Sequence, residues 1–127
     1  MFLGLRTIIY PAPELDATKR WYEELLGIKP YFDQAFYVGF NVGGYELALD
    51  PHGRVEDGPR TYWGVPDADV AIRRLLEHGA QPHTDVEEVG DSIRVATVLD
   101  PNGSAIGVIE NPHFKLAAPG AHAGPGR

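Results

Sequence analysis

The sequence predicts an α+β fold built from two tandem βαβββ modules. Three observations carry that reading. Strand-like and helix-like runs follow the same order in both halves of the 127-residue chain. The stretch WYEELLGIKPYFD, Trp21 to Asp33, is echoed by RRLLEHGAQPHTD, Arg73 to Asp85, so that Gly27, Pro30 and Asp33 recur at one common offset as Gly79, Pro82 and Asp85. Between the halves, PHGRVEDGP has loop chemistry, with two prolines, two glycines and three charged residues.

The elements follow in order. Leu3 to Tyr10 is β-branched and aromatic, and Pro11 bounds it, so it reads as a strand. From Glu14 to Leu26 the apolar positions Leu15, Trp21, Tyr22, Leu25 and Leu26 keep helical spacing. Glu14 and Asp16 suit the first turn, where the helix dipole favours negative charge. Gly27 suits a left-handed cap, and Pro30 prevents resumption. Pro30 to Asp33, Phe36 to Val42 and Tyr45 to Asp50 are three strands, the last two joined by Gly43-Gly44, which accepts the positive φ of a tight hairpin. In the second half Arg60 to Val65 is a strand and Asp67 N-caps a helix running to His78, closed by Gly79. Asp85 to Val89, Ser92 to Leu99 and Ala105 to Glu110 complete the second module, with Asp100-Pro-Asn-Gly103 as the turn between the last two. One domain over residues 1–114 is expected, with modules at about 1–50 and 60–112. Residues 115–127, rich in Ala, Pro and Gly, read as a tail.

Composition narrows the function. The net charge is −7 and no basic run offsets it, which argues against nucleic acid or an anionic membrane as partner. There is no cysteine, so disulfides, thiolate metal sites and cysteine nucleophiles are excluded. Arg6 interrupts the apolar N-terminal run, which does not read as a signal peptide, and no apolar stretch approaches the roughly 18 residues of a membrane span. A cytoplasmic location is the expectation. No Gly-rich phosphate loop precedes a helix.

Glu14-Leu15, Thr18, Trp21-Tyr22 and Leu26-Gly27, together with Val65-Pro66-Asp67 and Asp100 to Gly103, resemble the signature of the vicinal oxygen chelate superfamily, also called the glyoxalase/bleomycin-resistance/dioxygenase superfamily. The resemblance runs from Met1 to about Phe114. It implies two modules whose strands curl into a partly open mixed β-barrel around a pocket, with the helices outside, and it implies a homodimer. It leaves function open, because isomerases, lyases, dioxygenases and drug-sequestering proteins share the fold.

The metalloenzymes of that superfamily carry a ligand on the first and last strand of each module. Carried onto this chain, the four positions are Thr7, Ala48, Arg60 and Gly107. A divalent metal needs converging N or O donors. This set offers one hydroxyl, one cation and two residues without donors, so the expectation is a protein with no metal and no other cofactor. His52 with Asp50, or His83 with Asp85, is the alternative metal pair in loops. Strand alternation places Ile9 beside Thr7, Glu46 beside Ala48, and Tyr62 beside Arg60 on the pocket face. Arg94 is a further candidate from a strong strand. The expected pocket is apolar and aromatic, with Glu46 and Arg60 as its charged groups. These two are either ligand-binding or catalytic residues, or a salt bridge at the barrel mouth.

The sequence therefore points to metal-independent binding or sequestration of a small organic molecule between the modules. Whether the protein is an enzyme stays open. A glyoxalase-like lyase or isomerase is the first alternative, metal-dependent if the strand register is shifted. A non-catalytic protein-interaction module is the second.

Overall fold

A computed structural model describes residues 1–114 of the chain; the expected tail at 115–127, with His122, lies outside the described residues. The fold is α+β, as the sequence indicates. The described residues form two compact units. One joins Met1–Arg6 to Arg60–Phe114; the other comprises Thr7–Pro59. Strand β1 (Gly4–Pro11) contributes to both.

The Thr7–Pro59 unit adds α1 (Leu15–Leu26), β2 (Phe32–Gln34), β3 (Tyr37–Val42) and β4 (Tyr45–Asp50). Its strands run in the order β2-β3-β4-β1, with β1 parallel to β4 and the other pairs antiparallel. The β3–β4 hairpin turns on Gly43 and Gly44 at φ 64° and 95°, a turn no β-branched residue would accept. One sheet face carries Val38, Phe40 and Leu49, which pack with Ala12 and with Leu15, Tyr22 and Leu26 of α1. Phe40 is fully buried, so truncating it to alanine would cost about 3–5 kcal/mol.

Helix α1 uses less of its apolar surface than its sequence suggests. Trp21 and Leu25 are 58% and 62% exposed, and no α1 residue is fully buried. Trp21 instead meets Tyr22 edge-on at 4.9 Å. The reason is geometric: the apolar positions span an arc wider than one sheet face covers. Glu14 occupies the N-cap without a side-chain capping bond, while Gly27 ends the helix at φ 72°, as its sequence position requires.

The other unit contains β5 (Arg60–Gly64), α2 (Ala68–Glu77), β6 (Gln81–Pro82), β7 (Glu87–Glu88), β8 (Arg94–Leu99) and β9 (Ala105–Glu110). A short 3-10 turn at Val55–Asp57 lies in the segment before β5. Strands β5 and β9 are parallel, β8 and β9 antiparallel, and β6 and β7 both pair with β8. The strand expected at 85–89 is therefore shortened to a two-residue ladder at Glu87–Glu88, and a further two-residue ladder forms outside it at Gln81–Pro82. Pro82 has no N–H to continue the first ladder. Asp67 caps α2 by accepting the Val70 N–H at 3.1 Å. At the other end the Gly79 N–H reaches the Leu76 carbonyl and the Ala80 N–H the Leu75 carbonyl, a Schellman closure with Gly79 at φ 103°. Val65, Ala68, Ala71, Ala96 and Val108 form the core of this unit. No helix among the described residues is long and apolar enough to cross a membrane.

Candidate functional site

The candidate site lies on the face of the β2-β3-β4-β1 sheet turned away from α1. Register builds it. Thr7 pairs with Glu46 and Ile9 with Ala48 across the parallel β1–β4 ladder, and Gly39 pairs with Ala48 across the hairpin. Since paired residues share a face, Thr7, Ile9, Gly39, Glu46 and Ala48 all lie on one side. Their alternates Val38, Phe40 and Leu49 are the ones packed with α1.

Glu46 is the chemical centre of this face. Its Oε1 accepts the Thr7 hydroxyl at 3.1 Å and the Tyr37 hydroxyl at 2.9 Å, and its Oε2 accepts the hydroxyl of Tyr31. Small residues make the room. A Cβ on residue 39 would stand 2.6 Å from Glu46 Oε2 and 3.1 Å from the Tyr31 ring, so glycine is what lets the carboxylate and the phenol meet over β3. Burial, and then the bond to Glu46, push the Tyr31 phenol well above its usual range, so it stays a proton donor at any physiological pH. A carboxylate offers about four acceptor positions, and three are taken by hydroxyls. The arrangement presents a fixed anionic group with roughly one position left for a ligand.

The other unit has a hydroxyl–imidazole cluster at the corresponding place. His83 follows Gly79 as Tyr31 follows Gly27. Its Nδ1 lies 2.8 Å from Thr97 Oγ1, which is 2.9 Å from Thr84 Oγ1, and the Thr97 N–H donates to Thr84 Oγ1 at 2.8 Å. Thr97 pairs with Gly107, and Gly107 with Tyr62, so these three share a face. Arg94 lies on the opposite face, beside α2. It donates to Asp69 at 2.7 Å and to Glu110 at 2.6 Å, and Glu110 Oε1 also accepts the Ala68 N–H at 2.9 Å. This holds the β8 and β9 ends to the start of α2, and it holds the Glu110 carboxyl below its ordinary value, with Arg94 as the largest cause.

The sequence-predicted residues thus fall into groups. Thr7, Ile9, Glu46 and Ala48 are gathered on one face of one unit. Tyr62 and Gly107 are adjacent in the other, where half-buried Arg60 opens β5. Arg94 faces away from Gly107 and toward α2. Tyr31 is absent from the sequence-based site, and Tyr37 enters the sequence reading only with Phe36, Phe40, Tyr45 and Trp63 as an aromatic able to stack on a planar ligand. Tyr37 shares the parity of Gly39, and Tyr31 shares its offset with His83, but neither signal says that Glu46 is the group they meet.

The residues at the four positions of a family-type metal centre do not fit a divalent cation. Thr7 spends its proton on Glu46, Ala48 is a buried methyl, Gly107 has no side chain, and Arg60 is cationic. No group of three or more His, Asp or Glu side chains able to hold a metal occurs among the described residues. A separate surface groove of about 520 Å³ lies at the end of α1, lined by Arg20, Glu23, Glu24, Gly27, Ile28 and Lys29. Its charges are of mixed sign and it holds none of the residues around Glu46.

Comparison with known proteins places this geometry in a family. Residues 4–108 match the model of the Glyoxalase/Bleomycin resistance protein/Dioxygenase superfamily. Among solved structures, Streptomyces coelicolor methylmalonyl-CoA epimerase bound to 2-nitronate-propionyl-CoA superposes with a TM-score of 0.70 at 15% identity, covering 92% of this chain and all of the epimerase chain. Methylmalonyl-CoA epimerase from Mycobacterium tuberculosis gives 0.66 at 18% identity, with 86% and 88% of the two chains covered. A superfamily member from Vibrio splendidus 12B01 gives 0.66 at 14% identity, with 84% and 99% covered. At these identities the likeness is one of fold. No curated protein sequence matches the chain.

Proposed function

Because the chain belongs to the Glyoxalase/Bleomycin resistance protein/Dioxygenase superfamily, we propose that it uses the Glu46 face of its sheet to bind a small organic molecule without a metal. One observation carries this reading: the Glu46 carboxylate is held by the hydroxyls of Thr7, Tyr31 and Tyr37 above Gly39 and Ala48. Hydroxyls that already donate to a carboxylate orient it for recognition. A metal centre would need those same oxygen lone pairs. Binding or sequestration is therefore the leading role. The protein acts in the cytoplasm as a homodimer on this reading, and light scattering of the purified chain checks the second point.

An isomerase or lyase is the competing reading, supported by the epimerases among the structural neighbours. One experiment tests the metal-independent binding that the leading role requires. Untagged protein is treated with a chelator and screened by NMR against a fragment library. Binding that survives chelation, shifts the Thr7 and Glu46 amides, and is blocked by Ala48→Leu supports the proposal. Binding that requires added Zn, Ni or Mn, or shifts confined to the groove beside Gly27, overturns it.

A further inference from the structure

We infer that the molecule recognised at Glu46 is an organic cation, an ammonium or amidinium carried on an apolar or aromatic body. The inference rests on the proposed binding role of this face and names its ligand class. Two independent features converge. First, among the described residues no Lys, Arg or His forms an ion pair with Glu46. Its three partners are neutral hydroxyls. These orient the carboxylate and do not themselves compensate its charge, so charge complementarity selects a cation.

Second, the carboxylate stands beside an exposed aromatic cluster. Phe32 meets Phe36 and Tyr37 edge-on, each at 6.0 Å between ring centroids. Tyr37 and Tyr31 both donate to Glu46. Tyr31 is 63% exposed and Phe36 is 59% exposed. Large aromatics turned toward solvent next to a carboxylate held only by neutral hydroxyls among the described residues are costly unless something covers them. Aromatic ring faces attract cations and reject anions, because the π cloud is negative. A neutral hydrocarbon satisfies the second feature alone, and an anion satisfies neither. A cation on an apolar body satisfies both: its charge lies on Glu46 and its body against Phe32, Phe36 and Tyr31.

The test uses three probes of similar size on the full chain: benzylammonium, benzyl alcohol and benzoate. Binding is followed by NMR titration of the Tyr31, Phe36 and Glu46 amides. The cation is expected to bind roughly tenfold or more tightly than the other two, and to weaken as salt rises. Glu46→Gln removes the charge and abolishes the preference. Phe36→Ala, at an exposed position with no fold role, weakens the cation several-fold and leaves the spectrum otherwise native. Tyr31→Phe keeps the ring and frees an acceptor position on Glu46, so the cation binds at least as tightly as before. Equal or tighter binding of benzoate or benzyl alcohol at these amides overturns the cation assignment while leaving small-molecule binding intact. Absence of any shift with all three probes overturns the cation assignment too, and the fragment screen then decides separately whether this face binds anything.

Discussion

The Tyr62 ring is packed against Gly107 so closely that the smallest side chain is excluded. A Cβ on residue 107 would stand 2.5 Å from Tyr62 Cδ1 and 2.6 Å from the Thr61 carbonyl oxygen. The first contact is with a ring held in a parallel ladder and the second is with backbone, so neither yields cheaply. Gly107→Ala is expected to destabilise the protein by about 1–3 kcal/mol in urea unfolding. Tyr62→Ala in the same background relieves only the ring contact and recovers part of that loss. Full tolerance of Gly107→Ala would contradict the geometry.

Gly39 gives the opposite outcome from a similar distance. The atoms its Cβ would meet are the end of the Glu46 side chain and the edge of the Tyr31 ring, both movable. Gly39→Ala is expected to leave the melting temperature within a few degrees of wild type and to part Tyr31 from Glu46.

That parting has an optical readout. The Tyr31 phenol is raised by burial and by Glu46. The sign follows directly: a group whose folded value lies above its unfolded value stabilises the fold fully below the ordinary phenol range near 10, and the contribution is lost as pH rises toward the folded value. In an absorbance titration of the six tyrosines Tyr31 should fail to ionise near pH 10, and Tyr22, which burial also raises, should ionise late. Glu46→Gln and Gly39→Ala should each bring a further tyrosine into that range.

Acid should loosen the start of α2. The Glu110 carboxyl is lowered from its usual 4.5 by Arg94 and by the Ala68 N–H. A depressed carboxylate contributes stability above its unfolded value and loses it as pH falls through the folded one. The melting temperature is expected to drop on acidification below about pH 4.5. Glu110→Gln should flatten part of that drop, and a variant as acid-sensitive as wild type would argue against this origin.

The two helix starts provide an internal comparison. Asp67 accepts the Val70 N–H, whereas Glu14 makes no side-chain capping bond. Asp67→Ala should cost about 1 kcal/mol and Glu14→Ala close to nothing, measured by chemical denaturation.

Much of the fold was readable in the sequence because its signals are local. Gly27 and Gly79 must take positive φ where each helix ends, Gly43-Gly44 must turn a hairpin, and Asp67 is a capping residue before an apolar stripe. The residues that misled were those whose environment is set at long range. Trp21 and Leu25 carry helical apolar spacing but remain exposed, since spacing specifies an arc and not the width of the surface that covers it. The stretch 85–89 lacked any local reason to split its pairing from that of Gln81–Pro82.

The candidate site divides along the same line. Element order and turn residues in the sequence determined two βαβββ-like modules, and its resemblance to the superfamily supplied the family and the four positions poor in metal donors. From those positions, alternation placed Ile9 with Thr7 and Glu46 with Ala48. Only the tertiary structure decided that Tyr31 and Tyr37 complete a hydroxyl shell around Glu46, that Arg94 serves α2, and that aromatic rings stand open beside that carboxylate. Periodicity states which way a side chain points. Which distant group it meets depends on ladder register and on where a glycine leaves room, and Gly39 supplies that room between residues 31 and 46.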